Sequence, residues 1–259
     1  MPDPIASPAN PTATRVRALL ARRDRRSEER AFVVEGRRAV ADALAAGARP
    51  ELLLLREGET PPELEDGVPI RPVAPNVFDA LSDVAAPQGV LAVFPLPDLA
   101  PRVGALPLVL IVDRLRDPGN LGTLLRAAAG AGATAVYLGP ETVDPYNPKA
   151  VRAGMGAHFR LPLRPLDGTA VAALRTDIPL RVATDAEARL PYDAVNWQGP
   201  AAVIVGSEAD GIGPEAAALA TLRCAIPLAA DVESLNAAVA GAVVLFEAAR
   251  QRRRAMVPS

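Results

Sequence analysis

Three polar loops follow apolar runs and carry most of the side chains able to do chemistry. After Leu108–Val112 comes Asp113-Arg-Leu-Arg-Asp-Pro-Gly-Asn-Leu-Gly-Thr-Leu-Leu-Arg126, and after Ala201–Val205 comes Gly206-Ser-Glu-Ala-Asp-Gly-Ile-Gly213. After Ala225–Leu228 comes Asp231-Val-Glu-Ser-Leu-Asn236, which enters a long apolar helix. These loops supply Asn120, Arg126, Glu208, Ser234 and Asn236. Such groups bind and orient a ligand through hydrogen bonds, and an arginine can clamp a phosphate. Asn120, Ser234 and Asn236 can equally cap the helices that follow them, and Glu208 can neutralise Arg126 or fix its own loop.

Other chemistries are poorly served. The chain has one cysteine and one histidine, so zinc-type clusters are excluded and no metal is expected. Cys224 opens an apolar run and reads as a buried, inert thiol. His158 reads as structural or edge-exposed. There is no G-x-S-x-G elbow, no G-x-G-x-x-G after the first strand and no phosphate-binding G-x-x-x-x-G-K-[ST] loop. An α/β enzyme built around another nucleotide is disfavoured on that ground.

Alternating elements must position these loops. The proline-rich stretch Pro95–Pro101, with Pro107, separates two modules, because dense proline supports neither a helix interior nor a central strand. The expected division is residues 1–95, a linker over 96–107, and 108–259. In the first module helices are predicted over 11–22, 36–46 and 76–81, with strands over 31–34, 51–55 and 89–94. The second shows strands at 108–112, 134–138, 180–184, 201–206 and 223–228, with 159–163 extended. Its helices are predicted at 120–131, 147–154, 168–176 and 234–253. Near-continuous apolar strands alternating with helices imply an α/β fold with a covered parallel sheet, and ligands in such sheets sit at the strands' carboxyl ends.

Charge and composition bound the partners. The formal net charge of the 259 residues is −2, half are hydrophobic and 22% charged, as in a soluble globular protein. No apolar run is long enough for a membrane span, and the N-terminus lacks the pattern of a signal peptide. One cysteine fits a reducing cytoplasm. Nine arginines between Arg15 and Arg38 face four acidic residues, and Arg250, Arg252, Arg253 and Arg254 lie close to the C-terminus. Clustered arginine can form a phosphate footprint or a solvated helix face; Arg22, Arg23, Arg25, Arg26 and Arg37 are the candidate RNA contacts.

Taken together, the loops resemble the motifs of the SpoU (TrmH) family of SPOUT methyltransferases. Asp117-Pro-Gly-Asn-Leu-Gly-Thr-Leu-Leu-Arg126 is similar to the first motif, Val205-Gly-Ser-Glu-Ala-Asp-Gly211 to the second, and Ile226-Pro-Leu through Ser234-Leu-Asn236 to the third. Asn147–Gly156 resembles the family's intermediate segment, and Phe32-Val-Val-Glu-Gly-Arg37 its small substrate-binding domain. Two positions depart from the pattern: Ala209 stands where glycine is common, and Gly154 where serine is.

The resemblance implies transfer of a methyl group from S-adenosylmethionine to a ribose 2′-hydroxyl of RNA. It also implies a C-terminal domain tied in a trefoil knot and a homodimer with a shared active site. Gly206, Ile226 and Leu235 would contact the cofactor, with Ser207 and Leu228 beside them. Arg126 would stand at the catalytic position, supported by Asn120, Glu208, Ser234 and Asn236. The small N-terminal domain points to 23S rRNA. The alternatives are a tRNA ribose methyltransferase and a catalytically silent RNA-binding member.

Overall fold

In a computed structural model that describes residues 3–64, 66–84, 86–100, 106–208, 210–229 and 232–256, the chain divides into two compact units. The first is Met1–Asp98 with Asp144–Phe159, and the second is Leu99–Val143 with Arg160–Ser259. The chain thus changes unit within the expected linker, whose residues 101–105 lie outside the described set. The expected second domain is interrupted: Asp144–Phe159 groups with the first unit.

The first unit opens with α1 (Pro11–Ala21), whose start is capped by Asn10 accepting from the amide of Thr12 at 2.9 Å. Next come α2 (Arg23–Glu29), β1 (Ala31–Glu35), α3 (Arg37–Ala45), β2 (Leu52–Arg56), β3 (Ile70–Val73), α4 (Pro75–Asp79) and β4 (Val90–Pro95). The sheet order is β1-β4-β2-β3, with β2 and β3 parallel and the other pairs antiparallel. Neither α2 nor β3 is legible in the sequence. The Arg23–Glu29 run has no apolar stripe to read, and β3 contains Pro72, which argues against a strand.

The second unit begins with β5 (Leu108–Val112), α5 (Pro118–Ala131) and β6 (Ala135–Leu138). The chain then supplies α6 (Pro148–Gly154) to the first unit. It returns as β7 (Leu163–Pro165), α7 (Gly168–Asp177), β8 (Leu180–Thr184), β9 (Ala201–Val205), α8 (Pro214–Leu219), β10 (Leu222–Cys224) and α9 (Ala237–Met256). Its six strands are all parallel in the order β10-β8-β9-β5-β6-β7. Val109, Ile111, Ala202 and Ile204 pack with Leu174 of α7 and Ala216 and Leu219 of α8. The alternate side chains face the other way, where Leu124 of α5 and Val205 approach Gly241 of α9 so closely that a Cβ there would lie 2.6 and 3.0 Å from them. Among the described residues no helix is long and apolar enough to cross a membrane.

Several expected boundaries shift. The strand expected over 223–228 ends at Cys224, and α9 starts at Ala237 rather than Ser234. The intervening chain is free to form a site because it is in neither element. The extended run expected over 159–163 is displaced: Ala157–Phe159 form a short 3-10 turn, and the strand β7 begins only at Leu163.

Segment Asp144–Phe159 is held to the first unit by contacts that local pattern does not reveal. Val151 and Phe159 join the core face formed by Phe32, Leu53, Ala92 and Phe94. Arg26, 4% exposed, donates through Nε to Asp144 Oδ2 at 2.8 Å and through Nη1 to the carbonyl of Leu19 at 2.6 Å. His158 is wholly buried against Phe32 and Tyr146, its Nε2 within 2.7 Å of the Pro145 carbonyl. Burial lowers its pKa to about 4 from 6.5, so the ring is neutral in the fold. The unfolded chain then binds the extra proton between these values, and stability falls as pH drops from 6.5 towards 4. Denaturation against pH should show this slope, and His158→Gln should flatten it over that window; an unchanged slope would assign it to other groups.

Candidate active site

Because all six strands of the second unit are parallel, the loops after β5, β8, β9 and β10 emerge along one edge of the sheet. Glu208 gathers three of the segments expected to carry the chemistry. Its Oε1 accepts from Asn120 Nδ2 at 2.7 Å, from Asn236 Nδ2 at 3.3 Å and from the backbone amide of Ala237 at 3.2 Å. One carboxylate oxygen thus joins the start of α5, the loop after β9 and the start of α9.

Of the two asparagines, Asn120 is freed for this role by a neighbour, and Asn236 fills two roles at once. The cap of α5 is Asp117, which accepts from the Asn120 amide at 2.7 Å, so the side chain of Asn120 is not the cap it could have been. Asn236 does cap α9, its Oδ1 accepting from Ala238 at 3.0 Å and Val239 at 3.2 Å, while its Nδ2 turns to Glu208. Ser234 is exposed, lines the cavity behind Glu208 and makes no capping bond among the described residues. Arg126, two turns into α5, is exposed and has neither hydrogen bond nor ion pair among the described residues. Glu208 therefore fixes the loops instead of neutralising Arg126. Ala209, the departure from the second motif, lies outside the described residues.

The loop after β9 is closed on itself. Ser207 and Gly211 exchange backbone hydrogen bonds at 3.0 and 3.1 Å, and the Ser207 hydroxyl accepts from the Asp210 amide at 2.9 Å. A Cβ on Gly206 would collide with the carbonyl group of Gly211 and come within 2.6 Å of the Ile212 nitrogen. The glycine is required by this turn's own closure. Arg116 adds ion pairs to Glu141 at 3.5 Å and Asp210 at 3.2 Å, and buried Asp113 accepts from the Gly213 amide at 2.6 Å.

Behind Glu208 lies a cavity of about 460 Å³, within the usual range for small-molecule sites. Val205, Ile212, Ile226, Leu228 and Leu235 give it apolar walls, and Ser207, Glu208, Asp185 and Glu187 give it acceptors. All five expected cofactor contacts (Gly206, Ser207, Ile226, Leu228 and Leu235) line it. Apolar walls suit a purine ring, and carboxylates suit sugar hydroxyls and an ammonium group, so the donor set fits S-adenosylmethionine. Cys224 also borders the cavity; burial pushes its thiol up to about 11, so it stays protonated and inert.

The loops at this site, with the intermediate segment between them, fall within residues 107–246, which match the model of the SpoU rRNA methylase family. The chain belongs to this family. Residues 10–92 match the MRM3-like substrate binding domain. The mouse mitochondrial rRNA methyltransferase 3 is 34% identical, over 96% of this chain and 74% of that protein. The 23S rRNA (guanosine(2553)-2′-O)-methyltransferase RlmP of Bacillus subtilis is 32% identical, over 85% of this chain and 89% of that protein. The AdoMet-bound rRNA methyltransferase from Sinorhizobium meliloti superposes with a TM-score of 0.82 at 31% identity, covering 99% of both chains. This SpoU-family chain is an S-adenosylmethionine-dependent RNA methyltransferase.

The arginines of this SpoU-family enzyme divide differently from the expectation. Arg26 is corrected: it is buried in its pair with Asp144 and offers nothing to RNA. Arg252 likewise leaves the C-terminal cluster, because it is buried and donates to the carbonyls of Trp197, Leu106, Pro107 and Gly199. Arg22 pairs with Asp24, Arg25 with Glu28 and Glu29, and Arg37 with Glu59. Arg23 is exposed with no ion pair among the described residues. Sequence reasoning missed Asp185, Glu187, Asp210 and Arg223 as cavity residues. Asp185 and Glu187 follow the end of β8, Asp210 lies inside the second motif and Arg223 within the edge strand β10; these places become informative only when the strand order is known.

Proposed function

We propose that this enzyme methylates a ribose 2′-hydroxyl of large-subunit rRNA, working as a homodimer. The observation that carries this reading is the convergence of Asn120 and Asn236 on Glu208, at the mouth of a cavity that suits the methyl donor. S-adenosylmethionine, when bound, supplies an activated methyl group. Ile226, Leu228 and Leu235 form the apolar wall against it, while Gly206 and Ser207 hold the turn at its side. Asn120, Glu208 and Asn236 lock the three loops together so that a ribose can be placed against them, and positioning is a large part of such a displacement. Ser234 stands on the same rim and completes the polar edge.

Arg126 is free to clamp an RNA phosphate and orient the hydroxyl. Arginine stays protonated in proteins, so it directs the hydroxyl rather than taking its proton. The single histidine is sequestered among aromatic rings. The choice of 23S rRNA is supported by the N-terminal domain match and by the Bacillus relative's name.

The homodimer is supported by α9, which leaves Val239 and Phe246 exposed two turns apart. Phe246 lies 3.4 Å from where a Cβ on Gly130 would stand, and Gly130 is one turn beyond Arg126 on α5. A second copy covering this stripe would therefore reach the edge of the site. The trefoil threading and a cytoplasmic location belong to the same proposal.

The test is incubation with labelled S-adenosylmethionine and separate rRNA and tRNA pools, followed by mapping of the modified nucleotide. Label on a ribose of rRNA is expected. Label in tRNA alone would move the substrate, and none in either pool would leave a silent binder. Within this reading, Arg23→Glu should weaken RNA binding more at low than at high salt and lower the salt slope by about one. Equal affinity at all salt concentrations would remove Arg23 from the RNA surface.

A further inference from the structure

One ion pair bordering the same cavity has no part in the arrangement around Glu208. Asp185 lies on the turn after β8, and Arg223 is the middle residue of the edge strand β10. Asp185 Oδ2 accepts from Arg223 Nη1 at 2.7 Å, and its Oδ1 accepts from the Glu187 amide at 3.0 Å. Its own amide donates to the Cys224 carbonyl at 2.9 Å. One residue thus ties the turn over 185–188 to the last residues of β10.

The tie is placed where the chain leaves the sheet. β10 is three residues long and, among the described residues, pairs with β8 alone. Just past it, the chain carries Ile226 and Leu228 along the cavity wall. From Ile226 to Leu235 no backbone hydrogen bond is formed among the described residues, so the loop has no ladder of its own and depends on its ends. The far end is fixed by Glu208 through Asn236 and Ala237. The near end is fixed by the short pairing of β10, by Asp185, and by Ala225, which donates to the Leu190 carbonyl at 2.9 Å and accepts from the Tyr192 amide at 2.9 Å.

We propose that the Asp185–Arg223 pair is the side-chain anchor at the entry of this loop, a positioning pair that acts beside the backbone bonds of Ala225 and sets affinity for S-adenosylmethionine by fixing where Ile226 and Leu228 stand. The inference rests on the assignment of that loop to the cofactor. The Arg223 side chain is 52% exposed and that of Asp185 26%, and a pair so exposed contributes little to global stability. Its effect is therefore expected in ligand affinity, with little change in the melting temperature of the free protein.

Titration calorimetry of the full chain with S-adenosylhomocysteine tests this. Wild-type protein is the first arm, and absence of binding there would overturn the cofactor assignment itself. Given wild-type binding, Arg223→Gln and Asp185→Asn should each raise Kd about tenfold, the scale on which small displacements of binding groups act. Arg223→Lys, which keeps the charge and one donor, should stay within about threefold of wild type. Unchanged Kd in both neutral variants would overturn the anchor, as would an Arg223→Lys protein that loses as much affinity as Arg223→Gln.

Discussion

Replacing Arg126 with alanine lowers methyl transfer by at least about 100-fold, the range seen when a group that stabilises developing charge is removed, and leaves cofactor affinity close to wild type. The physical basis is that Arg126 is exposed and unpartnered among the described residues, so its guanidinium is free to meet RNA. Its loss should leave the fold intact because the helix packs through Leu121, Leu124, Leu125 and Ala128, all buried on other faces of α5. Single-turnover transfer from labelled S-adenosylmethionine, set beside S-adenosylhomocysteine binding, separates the two effects. Wild-type turnover in Arg126→Ala would remove this residue from the chemistry. Arg126→Lys should recover little, because an ammonium group cannot supply the planar fork of donors.

Replacing Glu208 with alanine removes one oxygen that accepts three hydrogen bonds, at 2.7, 3.3 and 3.2 Å. The start of α5 and the start of α9 then lose their common tether, and both catalytic efficiency and cofactor affinity should fall. A drop of about 100-fold in kcat/KM is expected, since misplacing reacting groups by an ångström has effects of that size. Glu208→Gln keeps a carbonyl oxygen at the same position and should retain activity within about tenfold, a neutral acceptor being weaker than a charged one. Equal losses in the two variants would show that the charge of Glu208, rather than its geometry, is what the site needs. Wild-type kinetics in Glu208→Ala would remove the tether altogether.

Much of the second unit is legible in the sequence because its strands are continuous apolar runs. Leu108–Val112 and Leu180–Thr184 coincide with the observed β5 and β8, and Ala201–Gly206 differs from β9 by one residue. β5 and β9 are buried at every position, which leaves no room for a polar residue there, so their extent is written in the residues themselves; β8 carries Arg181 and Thr184 and is read from Leu180, Val182 and Ala183. The short α8 is not legible because six residues carry too little periodicity to read. The end of β10 is set too late by pattern because Ile226 and Leu228 are apolar for a different reason: they line a cavity rather than fill a sheet. The arginine-rich region misleads in the opposite direction. Arg26 is indistinguishable by type from Arg23, yet it is buried because a carboxylate 118 residues away meets it.

The sequence by itself determined the two α/β modules, the three polar loops and the residue types at the site, since these depend on local pattern and on loop chemistry. Only the tertiary structure decided how those residues divide the work. Asn120 and Asn236 stand 88 and 28 positions from Glu208, and nothing local relates them. Strand order brings them together: β9 lies between β5 and β8, with β10 beyond, so the loops after all four strands share one edge. The same order sets Asp185 against Arg223 and makes a cavity of their neighbours. Hydrogen bonds act over about 3 Å, so which polar groups meet is a property of the packed sheet, whereas which segments can form that sheet is already set by the chain.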